Sequence, residues 1–452
     1  MTAPAPLPAF LAAWQACARR ADAPLPAEVA QAARRSAFDT LAAMAAGTVE
    51  NCTRAARGAC EGTPPSATEA ALVLGTASHA LDYDDVCMLA TCHPSAPVLS
   101  ALLAAQPLLA RERPALSLGG WLAAFALGTE TMLRLGEWLG FRHYALGFHA
   151  TGTLGTVGAA AAVAHALGLP PAQAHAALAI AASSACGLRA NFGTDTKPLH
   201  VGLAASAGLR AVLLARAGAT ASDDVWGPQG FALAFNGGDP LAPLAWDGTQ
   251  DWALARPGFE LKRFPSCYLT HRLMAGLLAI RARQPEAVRG QPVRIDIELA
   301  HNGTAPLKHP QPATGLQGKF SGPYSAAAAW IDGRADLGTF TDAAVQRPAL
   351  RAQMQQVTLR ERERAGESLD TAPVTVAVEG AGWSDRITVD WAPGSLADPM
   401  TREQMLAKWR DCLAHAGLSA DAVPAQALLD APLDAPAATL LAPVREALLA
   451  AQ

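Results

Sequence analysis

Runs of small apolar residues constrain the fold of this chain more than any other feature. One run covers residues 176–182, and a second, broken by occasional polar residues, covers residues 199–217. Apolar stretches of this length, interspersed with glycine, are typical of close-packed helices buried on most of their surface. The same helical spacing recurs over residues 26–47, 69–81, 99–109, 121–139, 152–167 and 172–182. Up to about residue 260 the sequence therefore predicts one large all-helical domain with short connections.

The pattern changes after Cys267. Residues 293–299 alternate apolar and polar with a period of two, which indicates a half-buried β-strand. Further segments are predicted as strands at 357–360, 374–379 and 386–389 and as helices at 268–283, 321–331 and 342–356. One helix opened by a capping box at Thr401 and another after Pro436 are expected to pack on the first domain. The predicted fold is mainly α, with a large all-helical domain (residues 1–265 and 397–452) and a smaller α+β domain (residues 266–396).

Composition limits the classes of partner. The chain of 452 residues is 51% hydrophobic and 16% charged, and its formal net charge of -4 argues against nucleic acid or an acidic membrane as partner. Polar residues interrupt every apolar run before about 18 residues, so no membrane-spanning segment is expected. The eight cysteines have no disulfide-framework spacing and follow no secretory signal, so a reducing, cytoplasmic location is expected. A low charge density with positive mean hydropathy predicts apolar surface buried in a homodimer.

A polar segment, residues 193–200, lies between the two apolar runs and contains Lys197 followed by Pro198. Proline suits the first position of a helix, which places Lys197 at or beside the N-cap, where the helix dipole is positive. The positive helix end and partial burial both lower a lysine pKa, which makes Lys197 an acid–base group or an anion anchor. In the alternative interpretation Asp195 or Thr196 caps the helix and Lys197 faces solvent.

Two further segments place ionisable residues where apolar helices begin or end. Residues 79–85 carry three carboxylates, including Asp82, and His93 stands just before another proline. Crowded carboxylates have widely separated pKa values unless they are solvated, and a loop with Asx caps is the alternative. Tyr144 and His149 precede a glycine-rich helix, and His149 is either a hydrogen-bonded core histidine or an acid–base group facing a cleft.

Residues 262–271 and 319–324 complete the set of unusual polar segments. Lys262 and His271 lie at the predicted domain junction, where ligand sites are common. Tyr324 lies near a predicted helix start. Neither segment is specific when taken alone.

The same segments contain no recognised metal or cofactor motif. The Cys87–His93 segment has no second ligand pair, and neither a phosphate-binding loop nor a calcium loop is present, so no metal and no cofactor are predicted. Acid–base groups without a cofactor suit the removal of a proton next to a carboxylate. Cations then hold the substrate carboxylates and stabilise the charge that develops.

These motifs together resemble those of the MmgE/PrpD family, which includes 2-methylcitrate dehydratase, cis-aconitate decarboxylase and iminodisuccinate epimerase. The resemblance rests on five motifs in family order: residues 79–85 with 93–96, 147–153, 193–200, 262–265 with 270–271, and 319–321 with Tyr324. It implies a large helical domain built from both chain ends, a smaller α+β lid and a homodimer. It also implies cofactor-free chemistry in the cleft between domain and lid.

The resemblance further implies which residues line the cleft. They are Asp82, His93, His149, Lys197, His271 and Tyr324. Val86 stands where many dehydratases and decarboxylases of the family have threonine, and the spacing from Asp82 to His93 is slightly longer than in the decarboxylase. Tyr144 resembles a tyrosine suggested as an acid–base group in the epimerase branch, whose compact length this chain shares.

The resulting prediction is a cofactor-independent lyase or isomerase that abstracts the α proton of a small di- or tricarboxylate. The catalytic candidates are Lys197, His149, Tyr144, Asp82 and His93, and the substrate-binding candidates are His271, Arg272, Tyr324, Thr196 and Lys262. An iminodisuccinate-like epimerase, with Tyr144 and Lys197 on opposite faces of the carbon, is the leading prediction. A 2-methylcitrate-type dehydratase or a cis-aconitate-type decarboxylase is the alternative. A non-catalytic helical scaffold that binds a metabolite is the alternative of another class.

Overall fold

The computed structural model describes residues 7–239, 241–364, 367, 369 and 372–451, and its N-terminal half is built of α-helices. These are Ala9–Ala21 (α1), Ala27–Gly47 (α2), Asn51–Gly58 (α3), Ala67–His79 (α4), Ser95–Ala104 (α5), Gln106–Glu112 (α6), Leu118–Ala145 (α7), Ala150–Leu167 (α8), Pro171–Ser183 (α9), Thr196–Arg216 (α10) and Phe231–Phe235 (α11). Local sequence places several ends. Ser66 and Glu69 form a capping box at the start of α4, and Gly168, in the left-handed conformation, ends α8.

Helices α4, α8 and α10 position the residues at their ends. Helix α10 packs against α4 and α8, and α8 also packs against α7. A Cβ on Gly75 of α4 would lie 2.7 Å from the Cα of Gly202 in α10, and a Cβ on Gly202 would lie 2.3 Å from Thr76 Oγ1. Because no side chain separates the two backbones there, the end of α4 at His79 lies beside the start of α10 at Lys197.

Two helices, Ala150–Leu167 and Thr196–Arg216, are long and apolar enough to cross a membrane. Both are packed inside the fold, since 94% of the apolar window of the first and 61% of that of the second are buried. Their apolar character therefore serves helix–helix packing in the core.

The C-terminal half adds a small mixed sheet and further helices. The helices are His271–Arg283 (α12), Gly315–Gly318 (α13), Gly322–Asp332 (α14), Asp342–Val345 (α15) and Pro348–Met354 (α16). The strands are Arg294–Ala300 (β1), Val357–Arg362 (β2), Val374–Gly380 (β3) and Trp383–Val389 (β4). The sheet order is β2-β1-β3-β4, with β1 parallel to β2 and the other pairs antiparallel. Ile295, Ile297 and Val376 are buried on the face covered by α12 and α14.

The hydrophobic residues form two main cores. The larger core combines the N-terminal helices with the last two helices, Arg402–His415 (α17) and Ala437–Ala450 (α18). The smaller core contains the sheet and the helices around it, and Tyr144 and Phe192 of the helical part join it. The predicted mainly α fold with a smaller α+β part is confirmed. The domain boundaries at residues 265/266 and 396/397 stay predictions.

Element boundaries differ from the predicted ones mainly where proline interrupts an apolar pattern. The predicted helix 99–109 is divided into α5 and α6, and the predicted helix 342–356 is divided before Pro348. Helix α10 starts at Thr196, so Pro198 is its third residue, not its first, and Lys197 lies inside the first turn. Helix α1 lies outside the predicted helices.

Candidate active site

Asp82 is the centre of a buried charge cluster just beyond the end of α4. Its backbone has a φ of 52°, in the left-handed region that aspartate tolerates better than most residues, and only 3% of its surface is exposed. Lys197 Nζ donates to Asp82 Oδ1 at 2.5 Å, and Lys262 Nζ donates to Asp82 Oδ2 at 2.9 Å. The structure thus brings three predicted site residues into direct contact from three separate segments.

Two histidines extend this cluster. His79 Nδ1 lies 2.9 Å from both carboxylate oxygens of Asp84, and Lys197 Nζ donates to His79 Nε2 at 2.7 Å. Because an ammonium only donates, His79 Nε2 is the acceptor, and His79 Nδ1 carries the proton donated to Asp84. His93 lies across both carboxylates, with Nε2 3.6 Å from Asp82 Oδ1 and Nδ1 3.2 Å from Asp84 Oδ2.

Burial and charge oppose each other in setting the protonation states. Burial alone would raise the pKa of Asp82, but the ammonium groups of Lys197 and Lys262 hold it well below its usual range. Burial lowers the pKa of Lys197, an effect that Asp82 partly offsets. Burial also lowers the pKa of His79 to about 3 against the attraction of Asp84. At neutral pH the cluster therefore holds an ionised Asp82, a neutral His79 and a lysine that loses its proton more easily than in water.

His149 occupies the N-cap position of α8 and is paired with a second histidine. Its Nδ1 lies 3.1 Å from His200 Nδ1, while its Nε2 is buried without a hydrogen-bond partner among the described residues. One proton is shared between the two Nδ1 atoms, so His200 helps to decide which nitrogen of His149 is protonated. Burial holds the pKa of His149 well below its usual value, and burial followed by the charge of Lys197 lowers that of His200 to about 4. Both rings are neutral at neutral pH.

A small cavity of about 70 Å³ adjoins the cluster and is lined by polar residues of the helical part, such as Thr151 and Lys197, and by residues of the smaller core. Six predicted site residues reach its wall: Asp82, His93, Tyr144, His149, Lys197 and Lys262. The rings of Phe192 and Phe320 form another part of the wall, each with its centroid 5.2 Å from Lys197 Nζ. These rings limit the access of water to the ammonium while their faces attract its charge.

Tyr144 lines the same cavity beneath Arg189, whose guanidinium carbon lies 4.1 Å from the ring centroid. Burial raises the pKa of Tyr144, and Arg189 only partly opposes this. The hydroxyl therefore keeps its proton at neutral pH, which suits a hydrogen-bond donor or a general acid better than a base.

Tyr324 and Thr196, two predicted substrate-binding residues, lie away from the cavity wall. Tyr324 is fully buried in the smaller core, and its hydroxyl donates to the carbonyl of Thr339 at 2.5 Å. Phe320, from the same motif, takes the place on the wall that was predicted for Tyr324. Thr196 is the half-buried first residue of α10, and its N–H donates to Thr194 Oγ1.

His271 and Arg272 lie behind the cavity at the start of α12. His271 is fully buried against the rings of Phe264 and Tyr268, and burial holds its pKa well below the usual value. Arg272 donates to the carbonyl of Leu369, a residue of the cavity wall. Both residues thus support the wall and do not form it.

Three residues of the cluster had no predicted role: His79, Asp84 and His200. All three stand inside the motifs that drew attention to Asp82 and Lys197. Helical spacing supplies a signal for His200, because it follows Lys197 by three residues in α10 and so lies on the same face. The partnership of His79 with Lys197 has no such signal, since the two are 118 residues apart in the sequence.

Four side chains of the cluster have the spacing of metal ligands. The ligand atoms of His79, Asp82, Asp84 and His93 lie within 4.8 Å of one another. However, two ammonium groups already bond the Asp82 carboxylate, and one of them also occupies His79 Nε2. A divalent cation would sit against these two positive charges, so the donor set fits lysine better than a metal.

The chain is similar to known proteins over most of its length. The chain matches the MmgE/PrpD N-terminal domain over residues 11–244 and the MmgE/PrpD C-terminal domain over residues 264–431. It is 31% identical over 356 residues to the cis-aconitate decarboxylase of Homo sapiens, which covers 77% of this chain and 72% of that protein. It is 31% identical over 361 residues to the cis-aconitate decarboxylase of Mus musculus, a match that covers 77% of this chain and 71% of that protein. It is 26% identical over 355 residues to the cis-aconitate decarboxylase of Aspergillus terreus, a match that covers 73% of this chain and 71% of that protein. The chain belongs to the MmgE/PrpD family, as its motifs predict.

Proposed function

We propose that this protein is a cofactor-independent lyase that decarboxylates a cis-aconitate-like tricarboxylate. One observation carries the proposal: Lys197, bonded to an ionised Asp82, lines a cavity in a chain that is 31% identical to cis-aconitate decarboxylases over most of its length. The named relatives favour this alternative over the epimerase that leads the sequence-based predictions.

The proposed reaction needs one proton donor and several groups that hold carboxylates. When the bond to one carboxylate breaks, CO2 leaves, and the electron pair left on carbon takes up a proton. Lys197 is the candidate donor, because it is a buried ammonium on the cavity wall with a lowered pKa, and it regains its proton from solvent. Burial lowers the pKa of His93 and of His149, so both are neutral and can donate hydrogen bonds to the remaining carboxylates. Lys262 keeps Asp82 ionised throughout.

The size and position of the cavity support a lid function for the smaller α+β part. The cavity of about 70 Å³ is small beside the roughly 300–1,000 Å³ of typical small-molecule pockets. Phe320 and Cys267 of the smaller core line it together with Asp82 and Lys197 of the helical part. In this proposal the smaller part moves away from the helical part to admit substrate, and its return excludes water from the reaction.

Proton NMR in heavy water tests the reaction. With cis-aconitate we expect release of CO2 and one carbon-bound deuterium in the product per turnover. Lys197→Met should lower the rate at least about a hundredfold, the usual contribution of a general acid. Lys308→Met, at an exposed lysine, is the matched control and should keep the wild-type rate. A wild-type protein that releases no CO2 from cis-aconitate would contradict the proposal.

An iminodisuccinate-like epimerase is the second candidate, because Tyr144 and Lys197 line the same cavity. It would exchange the α proton of a dicarboxylate for deuterium without forming CO2 or an alkene. A methylcitrate-type dehydratase would give an alkene without CO2. Tight binding of a carboxylate without any exchange would favour the non-catalytic scaffold.

A homodimer is proposed on the basis of exposed apolar side chains. Leu203 and Leu214 of α10 are 45% and 44% exposed, on the side of this helix that does not face the core. All eight cysteines are free thiols, which suits the reducing, cytoplasmic location expected from the sequence.

A further inference from the structure

Lysine is scarce in this chain and concentrated at the candidate site. The sequence contains five lysines, and four of them are buried: Lys197, Lys262, Lys319 and Lys408. A buried ammonium is unfavourable unless its N–H groups find acceptors. The acceptors of these four groups therefore indicate what each lysine contributes.

Three of the buried ammonium groups bind three successive backbone carbonyls. The pairs are Lys319 Nζ with the Leu81 carbonyl at 2.7 Å, Lys262 Nζ with the Asp82 carbonyl at 3.0 Å and Lys408 Nζ with the Tyr83 carbonyl at 2.7 Å. The lysines come from the loop before α14, from the segment that joins the two parts of the chain, and from α17. We call these three lysines and the carbonyls of residues 81–83 the carbonyl clamp.

The clamp also holds the segment that carries Lys262. Lys319 Nζ donates a second hydrogen bond to the Pro265 carbonyl at 2.9 Å, and Lys408 Nζ donates one to the Lys262 carbonyl at 2.9 Å. Two ammonium groups thus tie the turn at residues 81–83 to the segment 262–265 on the opposite side. The side chains of Asp82 and Lys262 meet between these two anchoring points.

The turn has a conformation that needs such support. A positive φ at a residue other than glycine is unfavourable, and it persists when the surroundings determine it. Here the φ of Asp82 is 52°, and this backbone conformation sets the direction in which its carboxylate points. A small rotation would move Asp82 Oδ1 away from Lys197 Nζ, which lies 2.5 Å from it.

We propose that Lys408 and Lys319 are positioning residues that, by holding the carbonyls of residues 81–83, fix the Asp82 carboxylate against Lys197. The proposal rests on the proposed function in one respect, the role of Lys197 as proton donor. If it holds, the position of the Asp82 carboxylate depends on how α17, which carries Lys408, and the segment before α14, which carries Lys319, pack against the turn at residues 81–83. Lys408 contributes from the greatest sequence distance, and its third partner is the buried carboxylate of Asp39, 2.8 Å away.

A double variant separates positioning from simple stabilisation. Lys408→Met alone leaves the buried Asp39 carboxylate unpaired, whereas Lys408→Met/Asp39→Asn removes both charges and should recover most of the lost stability. If Lys408 positions Asp82, the kcat of the double variant stays at least about tenfold below that of wild type, and its KM stays within about threefold of the wild-type KM. The reason is that misplacement of a catalytic group slows the chemical step more than it weakens substrate binding. Arg34→Met is the matched control, since Arg34 also donates to two backbone carbonyls, those of Leu428 and Ala431, but belongs to neither the clamp nor the cavity wall. Its kcat should equal that of wild type.

Hydrogen–deuterium exchange provides a readout that needs no turnover. Peptides covering residues 80–88 should exchange faster in the double variant than in wild type, whereas peptides from α8 should not change. Lys319→Met, which removes an ammonium bonded to two backbone carbonyls, should give the same pattern and serves if the double variant does not fold.

Two results would overturn the positioning role. One is a wild-type kcat in a folded double variant, and the other is an unchanged exchange rate at residues 80–88. If wild type itself shows no turnover, the proposed function fails, and the exchange measurement alone still decides whether the clamp holds the turn.

Discussion

At the scale of single residues, Asp82 and the two lysines that bond it act as one charged unit. Burial would favour a neutral carboxyl, and chiefly the two ammonium groups keep the pKa of Asp82 well below its usual range. Each lysine in turn depends on the carboxylate, since Lys197 and Lys262 are 4% and 1% exposed. Removing one member therefore leaves the others as uncompensated buried charges.

Asp82→Asn should for this reason lower both stability and activity. We expect a loss of about 3–5 kcal/mol in the free energy of unfolding, measured by urea denaturation, and a fall in kcat of at least about a hundredfold. Asp195→Asn, at a half-buried carboxylate just before α10, is the control. An Asp82→Asn protein with wild-type stability would show that the buried lysines do not need this partner.

His79 gives the protein a specific pH dependence. Its pKa falls from 6.5 in the unfolded chain to about 3 in the folded protein, chiefly through burial. Between these values the unfolded chain binds a proton that the folded protein does not, so stability is lost as the pH falls from 6.5 towards 3. The contribution reaches up to roughly 5 kcal/mol.

His79→Gln should flatten this part of the stability curve, measured as the free energy of unfolding at several pH values between 6.5 and 3. His301→Gln, at a histidine whose side chain is 57% exposed, is the control and should keep the wild-type curve. Parallel curves for wild type and His79→Gln would contradict the buried, neutral state of His79.

The sequence predicts which residues line the candidate site better than it predicts which of them contact one another. Motif position alone identifies Asp82, His93, Tyr144, His149, Lys197 and Lys262, all of which reach the cavity wall. The bond between Lys197 and Asp82 spans 115 residues, and no local periodicity encodes a contact at that separation. Tyr324 was predicted to bind substrate because its motif is recognisable. The first turn of α14 instead places its ring in the smaller core.

At the scale of secondary-structure elements, the contact between α4 and α10 brings the site together. Gly75 and Gly202 let the two backbones touch, and the ends of these helices carry His79 and Lys197. Apolar periodicity predicts both helices. It does not predict which faces meet, since that depends on the absence of a side chain at matching positions in two distant segments.

Gly202→Ala tests this contact. The added Cβ would lie 2.3 Å from Thr76 Oγ1 and 2.4 Å from the Leu72 carbonyl, so the helices must separate. We expect a loss of about 1–3 kcal/mol in the free energy of unfolding and a kcat at least about tenfold lower, because Lys197 moves with α10. Gly58→Ala in α3, where no atom lies within 4 Å of the added Cβ, is the matched control and should be neutral or slightly stabilising. Equal stability of the two variants would show that α4 and α10 can separate at no cost.

At the scale of the whole molecule, the chain folds back so that its last two helices complete the first core. Met405 and Trp409 of α17 and Leu441 and Leu448 of α18 belong to the same core as α1 and α2. The capping box at Thr401 and the apolar spacing that follows it predict these helices. Their packing on the helical part was expected from their apolar faces and from the family resemblance, whereas the position of the smaller part against the helical part has no signal in local sequence patterns.

The proposed homodimer is tested at this scale by sedimentation. Wild type should sediment at twice the 46.7 kDa of one chain. Leu203→Lys/Leu214→Glu, which charges the exposed apolar face of α10, should shift the protein towards monomer without loss of helix content. A monomeric wild type would contradict the dimer, and a dimeric double variant would place its interface elsewhere.

The central claim is that Lys197, paired with Asp82, drives a decarboxylation. Its most direct test is to measure the rate of CO2 release from cis-aconitate by wild type, Lys197→Met and Lys308→Met. The account predicts steady release by wild type and Lys308→Met, and a rate at least about a hundredfold lower for a folded Lys197→Met protein. Equal rates for wild type and Lys197→Met, or no CO2 from any of the three, would contradict it.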